Sequence, residues 1–362
     1  MPLTHVPAKR SAMAQATLSI DLDAVVANRQ ALDAVSGAHV ETAAVVKADA
    51  YGLGAAKVAK ALQKSGARTF FVAVAEEGIA VRKSIGPTAR IFVFAGHMKG
   101  DADILKQFDL IPLLNSTDQI LRQRQTLPGH GFGIQLDTGM NRLGIKEADW
   151  RQVAASVLDD APALLMSHLA SAEIKDSPAN SAQLANFRRM TDGSGVMRSL
   201  AASDGIALGP EFHFDMTRPG IGLYGGLQAD GLRPVVRLSL PVIQVHRLKP
   251  GDAVGYGGVW QASAPARVAT LSAGYADGLL RSLGGGNAQV YDGDVTCPVV
   301  GRVSMDLLTV DVSHLPHSPE MLEILCPAQG VDKLARAAGT IPYEILTSLG
   351  GRYDRRYLGA SQ

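Results

Sequence analysis

The chain has 362 residues, 46% of them apolar and 19% charged, with a net charge of +1. That is enough apolar material for more than one core, so two domains are expected, and so small a charge excludes an electrostatic case for nucleic acid or an anionic membrane as partner. The two cysteines, Cys297 and Cys326, are too few for a disulfide framework and lack metal-site spacing, so no metal is expected and both read as reduced thiols of a cytoplasmic protein.

Residues 1–15, "MPLTHVPAKRSAMAQ", hold no apolar core of signal-peptide length and read as a disordered tail. No apolar run in the chain approaches the roughly 20 residues that span a bilayer. The strand-like "ATLSIDL" (16–22) comes next and is expected to pair with the domain at the other end of the chain. From about 40 to 225, short apolar runs alternate with helix-period segments. The runs are "AAVVK" (43–47), "FFVAV" (70–74), "IFVFA" (91–95), "LIPLL" (110–114), "FGIQL" (132–136), "LLMSH" (164–168), "RSLAAS" (198–203) and "FHFDMTR" (212–218). Segments such as "AAKVAKALQKSG" and "NSAQLANFRRMTDG" lie between them. Eight strands alternating with helices predict an α/β fold with a parallel sheet, closed as a (β/α)8 barrel of the TIM type over 23–234. Pro112 weakens the fourth strand, so the count could differ by one.

Residues able to do chemistry stand at or just past the C-terminal ends of these runs: Lys47, Asn115, Asp137, His168, Ser203 and Arg218. That face carries the active site in such barrels. After "RPGIGLYGG" the pattern turns to short strands separated by Gly, Pro and Asp: "VVRLSLPVIQVHRL", "ARVATLSAG", "AQVYDG", "CPVVGRV" and "LLTVDV". A β-rich C-terminal domain over 235–362 is predicted.

A lysine at a strand's mouth is either a surface amine or an imine-forming group that holds a carbonyl compound covalently. The segment around Lys47, "AVVKADAYGLG", resembles the pyridoxal-phosphate lysine motif of the bacterial alanine racemase family. The resemblance continues through "VAVAEEG", "LDTGMNRLGI", "MSHLASAE", "HFDMTRPGIGLYG", "GYADGLLRSL" and "GRVSMD", and covers about residues 16 to 357.

It implies an isomerase that interconverts L- and D-alanine with pyridoxal 5'-phosphate and supplies D-alanine for peptidoglycan. Lys47 would bind the cofactor and act as one base; Tyr275 would be the other, on the opposite face of the substrate. Tyr51 and Ser203 would reach the cofactor phosphate with the N–H groups of Gly220 and Ile221. His168 would pack on the cofactor ring, and Arg218 would face its pyridine nitrogen without giving up a proton. Arg142, Met305 and Asp306 would meet the substrate. In the family the two bases come from different subunits, so a homodimer with composite active sites is implied.

The match departs at three places. Gln135 stands where many members carry a carbamylated lysine that orients the neighbouring arginine. Its amide has no charge, so Gln135 is expected to orient Arg142 by hydrogen bonding, helped by a bound anion such as chloride or by other neighbours. Ala202 replaces a frequent asparagine, and Gly351 stands where some members have a phosphate-binding tyrosine, with Tyr353 nearby. A serine or broader-specificity racemase of the same fold stays open, as do a barrel-type decarboxylase and a non-catalytic cofactor carrier. The domain after Val235 argues against the carrier, and Tyr275 argues against the decarboxylase.

Overall fold

The computed structural model describes residues 15–227, 229 and 231–359. All but the last residue of the N-terminal tail considered above lies outside them. The chain forms two compact units, Leu22–Arg233 and Pro234–Gly359, the second including the strand that ends at Asp21. No helix among the described residues is long and apolar enough to cross a membrane.

The first unit is a ring of parallel strands. Its members are Glu41–Thr42 continuing into Ala44–Val45, then Thr69–Val72, Arg90–Val93, Ile111–Leu114, Gly133–Asp137, Leu165–Met166, Arg198–Ser199 and Met216–Thr217. Successive strands pair in parallel from Ala44–Val45 round to Arg198–Ser199. The ring closes where Asp215 N–H donates to Arg198 O and Thr217 pairs with Thr42. Pro112 lies within the ring, opposite Val93, so the fourth strand stands. Phe70, Phe71 and Phe92 are fully buried, with Phe71 stacked on Phe92 and on Phe94 at 5.1 and 5.2 Å. The helices bury one stripe each. In Ala55–Lys64 it is Ala55, Val58, Ala59 and Leu62, the helical repeat of three and four.

In the second unit the 13-residue strand Val236–Leu248 is the organiser. Its first half pairs with Thr17–Asp21 and Met321–Leu325, and its second half with Ala266–Leu271. Irregular register at Leu238/Ser239 and Val242/Gln244 lets one strand serve both sheets. Asp354–Leu358 runs parallel to Thr17–Asp21 at the edge. Two helices, Val331–Ala338 and Pro342–Ser348, also lie here and were not anticipated from the β-rich pattern.

Candidate active site

The strand Ala44–Val45 ends at Val46, whose N–H donates to Phe71 O, and the chain then turns the unusual way. The segment Lys47–Gly52 is helical, but Ala48, Asp49, Ala50 and Tyr51 all have φ between 50° and 56°. Left-handed helix costs L-residues roughly 1–2 kcal/mol each, so neighbours must hold this turn. Ala48 N–H donates to Glu77 Oε1 at 2.8 Å, while Glu77 Oε2 accepts from Ala73 N–H at 2.8 Å. Asp49 Oδ1 accepts from Ala55 N–H at 2.7 Å, which fastens the turn to the next helix.

The turn brings Tyr51 back beneath Lys47's strand. Its ring lies 4.7 Å from that of Tyr224, whose hydroxyl donates to Val45 O at 2.9 Å. Tyr51's hydroxyl occupies the space beside Gly220, where a Cβ would lie 2.2 Å from it. Ser203 Oγ accepts from Gly220 N–H at 2.9 Å and Gly222 N–H at 3.1 Å, leaving its own proton to donate outward. Gly220's amide therefore serves Ser203 rather than standing open as the sequence suggested. Ile221 begins the short 3-10 helix Ile221–Tyr224.

Charge is the other organising feature. Lys47 is half-buried, its amine 5.7 Å from the centre of the Phe94 ring. Burial lowers its pKa, as does the Arg142 cation, while Glu77 acts the other way. Arg218 is fully buried, and burial brings its pKa down to about 9. Its guanidinium donates to Ser167 O at 2.7 Å, to Leu200 O at 3.3 Å and to Ser199 Oγ, all neutral acceptors. Burial pushes His168 down to about 3, assisted by Arg218, Arg142 and Lys47, so its ring is neutral at any working pH. Three cations thus surround one neutral imidazole, an arrangement that attracts anions.

The remaining strand-end residues shape loops. Asn115 donates to Phe94 O and Leu113 O. Asp137 Oδ1 accepts from Gly139 and Asn141 N–H groups, folding the loop that leads to Arg142. Gln135 is buried, and its amide donates to Leu143 O at 3.4 Å. It therefore reaches the backbone beside Arg142 and not the guanidinium, which corrects the expected side-chain bond.

In the second unit, Tyr275 opens a 3-10 turn and is 44% exposed. Its N–H donates to Ser304 O at 3.0 Å and Ala276 N–H to Met305 O at 2.9 Å. Tyr275, Met305 (55% exposed) and Asp306 therefore share one surface of that unit. Tyr353 is buried with no partner for its hydroxyl, and Gly351 has open space around it. Neither supplies the tyrosine contact that some family members have.

The model of the alanine racemase N-terminal domain matches residues 20–228, and that of the C-terminal domain matches 235–357. The chain belongs to the alanine racemase family. Its relatives include the alanine racemase of Dinoroseobacter shibae, 59% identical over 96% of this chain and 99% of that one. That of Rhodospirillum rubrum is 43% identical over 96% and 97%. Among solved structures, an alanine racemase from Bartonella henselae with covalently bound pyridoxal phosphate superposes with a TM-score of 0.90. It is 36% identical over 95% of this chain and all of that one. A biosynthetic alanine racemase from Pseudomonas aeruginosa gives 0.89 at 34% identity, over 95% and 99%.

Two residues of this racemase-family site escaped the sequence reading. Glu77 was hidden because an acid in a helix's first turn is ordinary dipole chemistry. Gln183 was hidden inside a helical segment. It donates to His168 O at 2.9 Å and Thr138 Oγ1 at 3.2 Å, and accepts from Ala170 N–H. A signal existed: Gln183 shares the buried stripe of Pro178–Thr191 with Asn180, Leu184 and Phe187, where a polar residue needs a reason.

Proposed function

We infer that this chain is an isomerase that interconverts L- and D-alanine with pyridoxal 5'-phosphate held at the mouth of the barrel. The observation that carries the reading is the pairing of a charge-disfavoured amine, Lys47, with a cation buried among neutral acceptors, Arg218. The donors present suit a phosphorylated aromatic aldehyde. Lys47 would join its carbonyl carbon, and Arg218 would face its ring nitrogen. His168 would pack on its ring, and Tyr51, Ser203 and Ile221 would bind its phosphate beside Gly220. When bound, pyridoxal phosphate withdraws electrons from the α-carbon of an attached amino acid and so acidifies its α-proton.

The protein supplies the proton transfers. Lys47, whose ammonium burial disfavours, takes the proton on the D side. Tyr275 acts on the L side. Arg142 holds the substrate carboxylate, with the Met305 main chain and Asp306 at the same end, and Gln135 steadies Arg142 through the backbone of Leu143. Two copies form a homodimer in which each lends Tyr275, Met305 and Asp306 to the barrel of the other. The protein works in the cytoplasm, supplying D-alanine for peptidoglycan.

Chiral chromatography of L-alanine incubated with cofactor-loaded protein tests the reaction. A drift to a nearly equal mixture of isomers is expected. L-alanine left unchanged by protein that holds its cofactor would overturn the assignment.

A further inference from the structure

Tyr275 needs to be held accurately, yet little about its own side chain holds it. It is 44% exposed, and the helical turn Tyr275–Asp277 is only three residues long. Two glycines bound the turn because space demands them: a Cβ on Gly274 would lie 2.3 Å from Ser304 O, and one on Gly278 would lie 2.0 Å from Ser348 O. What fixes the turn from within is Asp277. Its Oδ2 accepts from Gly274 N–H at 3.0 Å, and its side chain is 6% exposed. A carboxylate that buried requires a compensating cation.

Arg352 meets that need and does more. Its Nε and Nη2 donate to Asp277 Oδ1 and Oδ2 at 2.6 and 2.7 Å, a two-point fork, and its Nη1 donates to Asp306 Oδ1 at 2.6 Å. The chain beside Arg352 is tied to the same turn, since Gly350 N–H donates to Asp277 O at 3.0 Å. One rigid plane thereby joins the residue two past Tyr275 to the residue one past Met305.

We propose that Arg352 is a positioning residue for the reaction: its planar guanidinium sets Tyr275 and the Met305–Asp306 segment in fixed register, so that both enter the site as one unit. The proposal rests on the racemase reading given above. An ordinary surface ion pair would fix nothing, and exposed pairs contribute little. Here, however, one of the two acids is buried, and the fork geometry is available to arginine alone.

The test uses cofactor-loaded Arg352→Met and Arg352→Lys beside the wild type. Thermal unfolding, bound cofactor by visible absorbance, and turnover of α-deuterated L- and D-alanine are measured together. Cofactor content should be unchanged, while kcat falls about 10–100-fold, the scale expected for a displaced reacting group. Proton transfer at Tyr275 should become the slow step. The deuterium isotope effect should then rise for L-alanine and fall toward one for D-alanine, where abstraction by Lys47 precedes it. Lysine should not rescue, because one ammonium cannot replace the fork. Activity that falls only with the amount of folded protein, with wild-type isotope effects in both directions, would overturn the proposal. Should the methionine variant not fold, the lysine variant, which keeps the charge beside Asp277, decides on the same criteria. Wild-type protein that holds cofactor but leaves both isomers unchanged would overturn the racemase reading and this proposal with it.

Discussion

Lys47 sits among influences that oppose its charge, burial first and the Arg142 cation second, against the single acid Glu77. Glu77 is therefore both a clamp on the turn and the brake on Lys47's deprotonation. In Glu77→Gln the pKa of Lys47 should fall further, because the one group that raises it is gone. The pH profile of amine modification in apoprotein checks this, its midpoint moving to lower pH; an unmoved midpoint would reduce Glu77 to scaffolding. Glu77→Ala should also cost about 1–3 kcal/mol of stability in denaturant unfolding through two lost charge-assisted bonds. Lys47, Tyr51, Ser203 and Arg218 were legible in the sequence because they end strands or stand in specific motifs. Glu77 and Gln183 were not, since each acts through backbone groups brought near by folding. Gln135 was half legible: its position beside the Arg142 loop followed from the motif, but its hydrogen bond to Leu143 O depends on how that loop turns.

Among the elements, the turn at Lys47–Gly52 is the one that sequence reasoning could not foresee. Alanine, aspartate and tyrosine follow Lys47, and none of them asks for left-handed backbone. The hand is held by Glu77 from outside the turn, by Asp49 within it through Ala55 N–H, and by the packing of Tyr51 against Tyr224. The strand runs, in contrast, were readable, because parallel barrel strands are buried on both faces and appear as short apolar stretches. Their lengths were overread, since several ring strands have only two paired residues. The tightest fit in this element pair is Gly220 against Tyr51. Gly220 has φ of −121°, so backbone strain does not require glycine there; the space does. Gly220→Ala should push Tyr51 out of place at the typical overpacking cost of about 1–3 kcal/mol. Read as cofactor titrated by absorbance, that is an affinity weaker by about 5–150-fold. Unchanged affinity would mean that Tyr51 does not contribute to the phosphate site.

At the scale of the whole molecule, the two units carry different shares of the chemistry. The barrel brings Lys47, His168, Arg142 and Arg218 within electrostatic reach of one another. The β-rich unit presents Tyr275, Met305 and Asp306 on an exposed surface of its own. Neither share makes a two-base racemase alone, and the proposed homodimer combines the barrel of one copy with the exposed surface of the other. Mixing two inactive variants tests that combination most directly. Lys47→Ala and Tyr275→Phe are combined in equal amounts under conditions that let subunits exchange, and alanine racemisation is followed. In a twofold dimer with exchanged residues, each mixed dimer regains one intact site, so about a quarter of the wild-type activity should return. Mixtures as inactive as either variant alone, with mixed dimers shown to form, would contradict the account.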